Sequence, residues 1–271
     1  MTSKSENKRG IVAVVVPAYK TYLTPDEEIS LRHLRHFLGG YDKYLVGPRS
    51  LDFALSDFQI RRFKDKYFAS VLDYNKLVLS PHFYKTFLDY KYILVYQLDA
   101  LVFSDQLTQW CEKDFDYIGA PWLKRMDVAE EGFSNVGNGG FSLRKVDSFL
   151  KVLSSPGIVV DPAAYWDEFC ANNSRLTQLV NLHKKYLKRL ALFGGVKWYS
   201  RHPHDMEDIF WSNIAPRLYP DFRIATVDEA LKFSFESAPR YCFEQNNYKL
   251  PFGCHSWEKY DRDFWEDYLL R

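Results

Sequence analysis

Residues 92–103, Tyr-Ile-Leu-Val-Tyr-Gln-Leu-Asp-Ala-Leu-Val-Phe, constrain this chain more than any other stretch. One carboxylate, Asp99, stands among eleven uncharged residues. A run so apolar and β-prone reads as a strand covered on both faces, the condition inside a mostly parallel sheet with helices on either side. An ionised Asp is rarely buried without a partner. Asp99 is therefore expected where the strand leaves the sheet, at its carboxyl end, which is where open α/β sheets bind ligands. A simpler role, capping a turn or the next helix, fits the same residue.

The neighbouring segments set that strand in an α/β context. Residues 10–16 are a continuous β-rich run ended by Pro17, which cannot donate to a ladder, and read as a first buried strand. Residues 26–37 read as a helix, with Asp26, Glu27 and Glu28 in its first turn and Gly39-Gly40 after its end. Residues 43–46 read as a second strand stopped by Gly47-Pro48. Strand, helix, strand at this spacing is a βαβ unit, so parallel pairing and a right-handed crossover follow. Residues 57–68 mix charge and aromatics without a clean period, and 74–87 have helical spacing interrupted at Pro81.

Further along, short helices are expected over 107–114 and 147–153. A strand end is expected over 116–121, and a glycine-rich loop over 135–140 leads into a strand at Phe141. Residues 174–193 form the clearest amphipathic helix. Leu176, Leu179, Val180, Tyr186, Leu187, Leu190 and Ala191 share one face, and Lys184, Lys185, Lys188 and Arg189 lie off it. The basic side reads as a solvated surface, or alternatively as a peripheral membrane or acidic-partner contact. A helix over 207–218 opens on two acids, a short strand follows at 222–226, and 250–257 is a loop. Residues 261–270 close as a helix whose Phe264, Trp265 and Tyr268 can share one side. Residues 1–10 read as a polar tail, and 11–271 as a single domain with a helical insertion at about 160–200.

Composition excludes some functions. Lys and Arg total 36 against 35 for Asp and Glu, without the basic excess of a nucleic-acid binder. The longest apolar run, 11–18, is too short to span a bilayer, and the polar start leads into no signal-type segment. Cys111, Cys170, Cys242 and Cys254 are scattered with no C-x-x-C pair, so reduced thiols and a cytoplasmic location are expected. The 21 Phe, 19 Tyr and 7 Trp suit a thick core and equally suit flat walls for bases and sugars.

Several loops could converge on Asp99. Tyr19 and Lys20, after Pro17, offer a ring face to a base and a charge to a phosphate. Gln97 and Asp99 would share a face if both lay on the strand. The Gly137-Asn138-Gly139-Gly140 run permits positive φ and close backbone approach, or is an ordinary tight hairpin. His255, in Pro-Phe-Gly-Cys-His, is a metal ligand or a structural imidazole. Glu207 and Asp208 suit a helix start, where acids gain about 0.3–1 kcal/mol from the macrodipole.

Taken in order, these motifs resemble the nucleotide-sugar glycosyltransferases of GT-A fold. Val-Val-Val-Pro-Ala-Tyr-Lys (14–20) looks like their first strand and nucleotide loop, and residues 74–81 with 92–103 like their helix and D-x-D strand. Asn-Gly-Gly-Phe-Ser-Leu-Arg (138–144) resembles the glycine loop beside the acceptor. Glu207-Asp208 looks like the family's acidic pair, and Pro-Phe-Gly-Cys-His (251–255) like its carboxy-terminal metal histidine. The combination is most similar to an uncharacterised group of glycosyltransferase-like proteins in bacteria, algae and large viruses.

The resemblance implies an α/β, GT-A-like (Rossmann-like) fold: a mostly parallel central sheet flanked by helices, with an added helical segment. It implies a hexosyl- or pentosyltransferase of glycan biosynthesis, moving a sugar from a nucleoside diphosphate sugar to a glycan, glycolipid or protein hydroxyl. Pro17, Tyr19, Lys20, Lys76, Gln97 and Asp99 would bind the donor, and Trp122, Asn138, Gly139 and Gly140 would line the sugar and acceptor pocket. Asp99 and His255 would hold Mn²⁺ or Mg²⁺. Asp208, seconded by Glu207, would be the general base of an inverting transfer. Where the family has Asp-x-Asp this chain has Gln97-x-Asp99, so one charged ligand becomes a neutral amide. That departure keeps a second reading open, a non-catalytic nucleotide-sugar-binding domain on the same fold.

Overall fold

The structure, a computed structural model, describes residues 10–187, 190–203 and 205–270. The expected polar tail lies outside the described residues except for Gly10, which opens β1 (Gly10–Pro17). α1 (Pro25–Leu38) starts from a capping box: Thr24 Oγ1 accepts from the Glu27 amide at 3.3 Å, and the Glu27 carboxylate accepts from the Thr24 amide at 2.8 Å. β2 (Asp42–Pro48) and β3 (Gln59–Phe63) follow, then α2 (Val71–Val78) and α3 (Pro81–Lys85), divided at Pro81. β4 (Tyr90–Tyr96), β5 (Leu101–Val102), α4 (Leu107–Glu112) and β6 (Tyr117–Ile118) come next. A small ribbon of β7 (Pro121–Leu123) and β8 (Phe133–Val136) leads to β9 (Phe141–Lys145) and α5 (Val146–Leu153).

The helical segment holds α6 (Pro162–Ala171), α7 (Arg175–Leu187), α8 (Ala191–Gly194) and α9 (Val196–Tyr199). α10 (Glu207–Ile209) runs through a π-helical stretch, Phe210–Ile214, into α11 (Ala215–Leu218). α12 (Val227–Phe233), β10 (Ser234–Phe235), α13 (Pro239–Gln245), β11 (Gly253–Cys254) and α14 (Arg262–Trp265) complete the order. Among the described residues no helix is long and apolar enough to cross a membrane.

Six strands form the central sheet in the order β3-β2-β1-β4-β9-β6. β1 to β4 are parallel, and β9 runs antiparallel between β4 and β6. Successive residues of β1 feed opposite cores, as strand alternation requires. Val12, Val14 and Val16 pack with Leu34, Leu94 and Phe141, whereas Ala13 and Val15 pack with Phe83, Tyr84 and Trp211. Each buried Val or Leu contributes about 1.5–3 kcal/mol relative to exposure. A third cluster, with Trp257 and Trp265, covers the small sheet β10-β11-β5. The α/β class anticipated from the sequence, a mostly parallel central sheet flanked by helices, is the class observed.

Four local points differ from or add to the expectations. The 92–103 run is not one strand: β4 ends at Tyr96, a turn closed by the Ala100 amide on the Gln97 carbonyl (2.9 Å) follows, and β5 joins another sheet. Asp99 thus sits just past the carboxyl end of β4, in a turn, and strand alternation does not relate it to Gln97. Residues 57–68 contain β3, whose charged Gln-Ile-Arg-Arg-Phe sequence suits its place at the sheet edge. The strand expected over 222–226 is reduced to one bridge, Ile224 to Tyr117.

The fourth concerns α7. Its apolar side faces solvent, with Leu176, Leu179 and Val180 at 74%, 71% and 68% exposure. The opposite side meets α6: Gln178 donates to the Cys170 and Asn173 carbonyls, and Lys184 and Lys185 lie over the rings of Phe169 and Trp166. Aromatic faces take cationic stems well, so α6 accepts the polar side of its neighbour. Lys188 and Arg189 of the expected basic face lie outside the described residues.

Candidate functional site

The carboxyl end of β4 presents Gln97 and Asp99, and β11 delivers His255 to the same point. His255 Nε2 lies 3.3 Å from Asp99 Oδ1 and 3.3 Å from Gln97 Oε1. Oδ1 of Asp99 is buried, and its contact with His255 is an ion pair short of good hydrogen-bond geometry, while Oδ2 accepts from Ser256 at 3.4 Å. The other imidazole nitrogen, Nδ1, faces Glu236 Oε1 at 2.8 Å. Burial alone lowers a histidine's affinity for protons, but the hydrogen bonds and charges of Asp99 and Glu236 outweigh it and lift His255 to about 10. Asp99 shows the converse: burial opposes its charge, yet its bond to His255 holds it below the usual carboxylate range.

The glycine loop packs beneath this cluster. Asn138, almost wholly buried, accepts at Oδ1 from the Gly140 and Phe141 amides at 2.7 Å each. Its backbone is clamped by Tyr117, whose hydroxyl accepts from the Asn138 amide and donates to its carbonyl. Gly137, Gly139 and Gly140 do not need positive φ, which among described glycines belongs to Gly132 alone. Their need is for space. A β-carbon at Gly140 would lie 1.9 Å from His255 Nε2, one at Gly139 3.1 Å from Glu207 Oε1, and one at Gly137 2.6 Å from the Trp122 ring. Trp122 is thereby set against the loop from β7, half-buried.

On the far side of the loop, α10 carries the acidic pair. Glu207 is 3% exposed and bound by Arg144, with Nη2 at 2.6 Å and Nη1 at 3.2 Å. Tyr84, Ser142 and, at 3.4 Å, the Gly139 carbonyl of the glycine loop also accept from the arginine. Burial pushes the Glu207 carboxyl up to about 7 against the pull of Arg144. Asp208 has no such cation. Burial and then the charge of Glu236 raise it above the usual aspartate range. Glu236 therefore links the two halves, bonded to His255 and felt by Asp208.

Other expected residues lie further out. Pro17 ends β1 and is buried. Tyr19 is 66% exposed, and Lys20 pairs with Glu27 at 2.8 Å. That edge adjoins the cluster through Glu258, whose carboxyl is raised by burial and by the charges of Asp99, Asp26 and Glu27. Lys76 pairs with Asp73 at 2.8 Å and lines a different cleft, of about 1080 Å³, with Lys85, Lys197 and Arg201.

Sequence reasoning passed over Glu236, Arg144, Ser256 and Lys259. Glu236 carried a usable signal, a lone acid in an apolar stretch (Phe-Ser-Phe-Glu-Ser), the same signature as Asp99. Lys259 is exposed, and after its bond to Tyr260 it feels Glu236 and Asp99.

One oxygen of Asp99 and one of Gln97 thus each lie 3.3 Å from Nε2 of His255, and a carboxylate steadies the far side of the imidazole. Among the described residues no group of three or more His, Cys, Asp and Glu side chains is arranged to hold a metal ion; the donors gathered here are one carboxylate, one amide oxygen and one imidazole.

A family model described as a protein of unknown function, DUF5672, matches residues 57–255, which include every residue from β3 to His255. The chain belongs to the DUF5672 family. No curated protein matches its sequence. Among solved structures, the apo glycosyltransferase GlyE of Streptococcus pneumoniae TIGR4 is similar at 14% identity and a TM-score of 0.44, over 95% of this chain and 60% of that one. This chain therefore spans less than two thirds of GlyE. The galactosyltransferase LgtC, in complex with donor and acceptor sugar analogs, is similar at 12% identity and a TM-score of 0.46, over 90% of this chain and 86% of that one. A glycosyltransferase involved in glycosylation of the major capsid of PBCV-1 is similar at 8% identity and a TM-score of 0.43, over 90% and 92%. Likeness at this level says nothing about the chemistry of these residues.

Proposed function

We propose that this protein is a glycosyltransferase that moves a sugar from a nucleoside diphosphate sugar to a hydroxyl acceptor. The single observation that carries the reading is the meeting of Gln97, Asp99 and His255 beside a glycine loop whose other side holds Glu207 and, next to it, Asp208.

Asp99, His255 and Gln97 would hold a divalent ion, Mn²⁺ or Mg²⁺, which when bound neutralises the charge that develops on a leaving diphosphate. Metal binding there would displace the proton that Asp99 and Glu236 otherwise retain on His255. Gln97, lacking charge, is suited to accept a hydrogen bond from a ribose hydroxyl. Lys259, exposed and held by Tyr260 rather than by a carboxylate, is more available to a phosphate than Lys20, which Glu27 already engages.

Asp208 is the general base. Its raised proton affinity makes it a stronger base than an ordinary aspartate, and an acceptor hydroxyl within about 2.6–3.2 Å of it could surrender a proton as it attacks. A base across the sugar from the leaving group gives inversion at the anomeric carbon. Glu207 is a positioning residue: locked on Arg144, it anchors the turn from which Asp208 projects. The acceptor is a glycan, glycolipid or protein hydroxyl.

A thermal-shift screen of nucleoside diphosphate sugars, with Mn²⁺ and with chelator, tests the reading. A donor that raises the melting temperature only with metal supports it, because a ligand of the folded form alone stabilises it. The neutral Gln97 favours one rival, a domain that binds the donor without using it. Measured donor turnover separates the two: stabilisation with no transfer and no hydrolysis would leave the rival standing.

A further inference from the structure

The sequence between Glu168 and Asp205 contains seven Lys and Arg residues and no Asp or Glu, in a chain whose net charge is only +1. Within that basic stretch α7 turns its apolar side outward: Leu176, Leu179, Val180 and Leu182 are exposed, and Leu190 beyond the helix is 52% exposed. No residue of α7 is buried. Water is a poor partner for so many aliphatic groups on one helix, and exposed apolar patches of this kind mark contact surfaces. A cover for this face must offer apolar groups to the leucines and negative charge to the basic segment that carries them.

We propose that α7 and the basic segment around it form a docking surface for an anionic lipid bilayer. A basic helix with an aliphatic side lies in the headgroup plane, its leucines in the acyl boundary and its cations against lipid phosphates. The ammonium groups of Lys184 and Lys185 lie over the Phe169 and Trp166 rings of α6, which props the helix from behind, so these two cations add to the positive field of the segment rather than touching headgroups directly. A second copy of the chain satisfies the leucines but not the charge, since a two-fold pairing of this face sets like charges together. The surface lies in the helical segment after α5, apart from Asp99, Asp208 and His255, so the inference stands whether or not the chain transfers a sugar.

The test is co-sedimentation of the full-length protein with vesicles of phosphatidylcholine alone and of phosphatidylcholine mixed with phosphatidylglycerol, without donor or metal. The wild type should pellet with the mixed vesicles, release as salt is raised, and leave the neutral vesicles largely alone. Each cation near such a surface is worth about fivefold in partition, so Lys184→Glu with Lys185→Glu should lose well over tenfold. Leu176→Ser with Leu179→Ser should lose binding while leaving the melting temperature unchanged, because both side chains are exposed. Should that variant misfold, Leu179→Trp gives a second reading: its emission should shift blue and be quenched by brominated lipid. A wild type that ignores the mixed vesicles, or binds neutral ones as well, overturns the proposal. So does a solution dimer that Leu176→Ser with Leu179→Ser dissociates, which would make a second copy the occupant.

Discussion

The imidazole of His255 occupies the space that any side chain at position 140 would need. A β-carbon there would stand 1.9 Å from Nε2. Backbone and ring cannot both keep their places, and the ring is the softer of the two. Gly140→Ala should therefore turn His255 away from Asp99 and Gln97. The expected result is a loss of Mn²⁺ and donor affinity of at least about tenfold, as for other disturbed metal-ligand supports. Gly40→Ala is the control, since a β-carbon at Gly40 meets nothing within 4 Å. Calorimetric titration of metal and donor into both variants checks it; equal affinity in Gly140→Ala would remove His255 from the metal site.

Asp208 carries a cost that its removal should reveal. Burial and the charge of Glu236 raise its folded proton affinity above the unfolded value. A carboxyl raised in this way favours the folded state when protonated, and that stability is lost as pH climbs through the folded pKa. Asp208→Asn should thus be more stable than wild type at neutral pH, with the gain vanishing near pH about 4, where the unfolded carboxyl also protonates. The same variant should lose transfer by about 10²–10⁴-fold and keep donor affinity. Melting curves across pH, beside single-turnover assays, read both effects. Full transfer in Asp208→Asn would disqualify it as the base.

How much of this could be read from residues alone differs by type of signal. Continuous apolar runs placed β1 and β4, and Pro81 divided α2 from α3, because burial and a missing amide act locally. β3 escaped because an edge strand may carry charge, and Gln-Ile-Arg-Arg-Phe has no alternation to find. The apolar run through Phe103 concealed a turn because Leu98-Asp99-Ala100 contains neither Gly nor Pro. Amphipathicity shows that two sides of α7 differ but not which side a neighbour will cover, and α6 covers the polar one. The pairing of Arg144 with Glu207, 63 residues apart, and of Glu236 with His255 depends on the closed fold, so no spacing announces either.

Glu236 should act on both halves of the site. Its carboxylate orients His255 through Nδ1 at 2.8 Å and its charge raises Asp208. Glu236→Gln keeps the shape and removes the charge. Mn²⁺ affinity should fall by about 10–100-fold, the usual penalty for losing an outer carboxylate on a metal histidine. With metal saturating, the acidic limb of the kcat/KM profile should move to lower pH, because Asp208 without a negative neighbour releases its proton more readily. An acidic limb that stays put would show that Asp208 does not titrate in the rate.

Arg144 and Glu207 form a pair in which neither charge can be lost alone. The arginine side chain is 0% exposed and the glutamate 4%. Removing one partner of a buried pair leaves the other uncompensated, typically at about 3–5 kcal/mol. Arg144→Met should lower stability by that amount in urea unfolding, a drop in melting temperature of roughly 10 °C for a chain of this size. Adding Glu207→Leu should recover much of the loss, since an apolar pair of similar volume is often neutral or better than the ions it replaces. Transfer should not recover, because the turn that aims Asp208 has lost its anchor on Arg144. Activity returning together with stability would mean that the pair serves only the fold and that Asp208 keeps its aim without it.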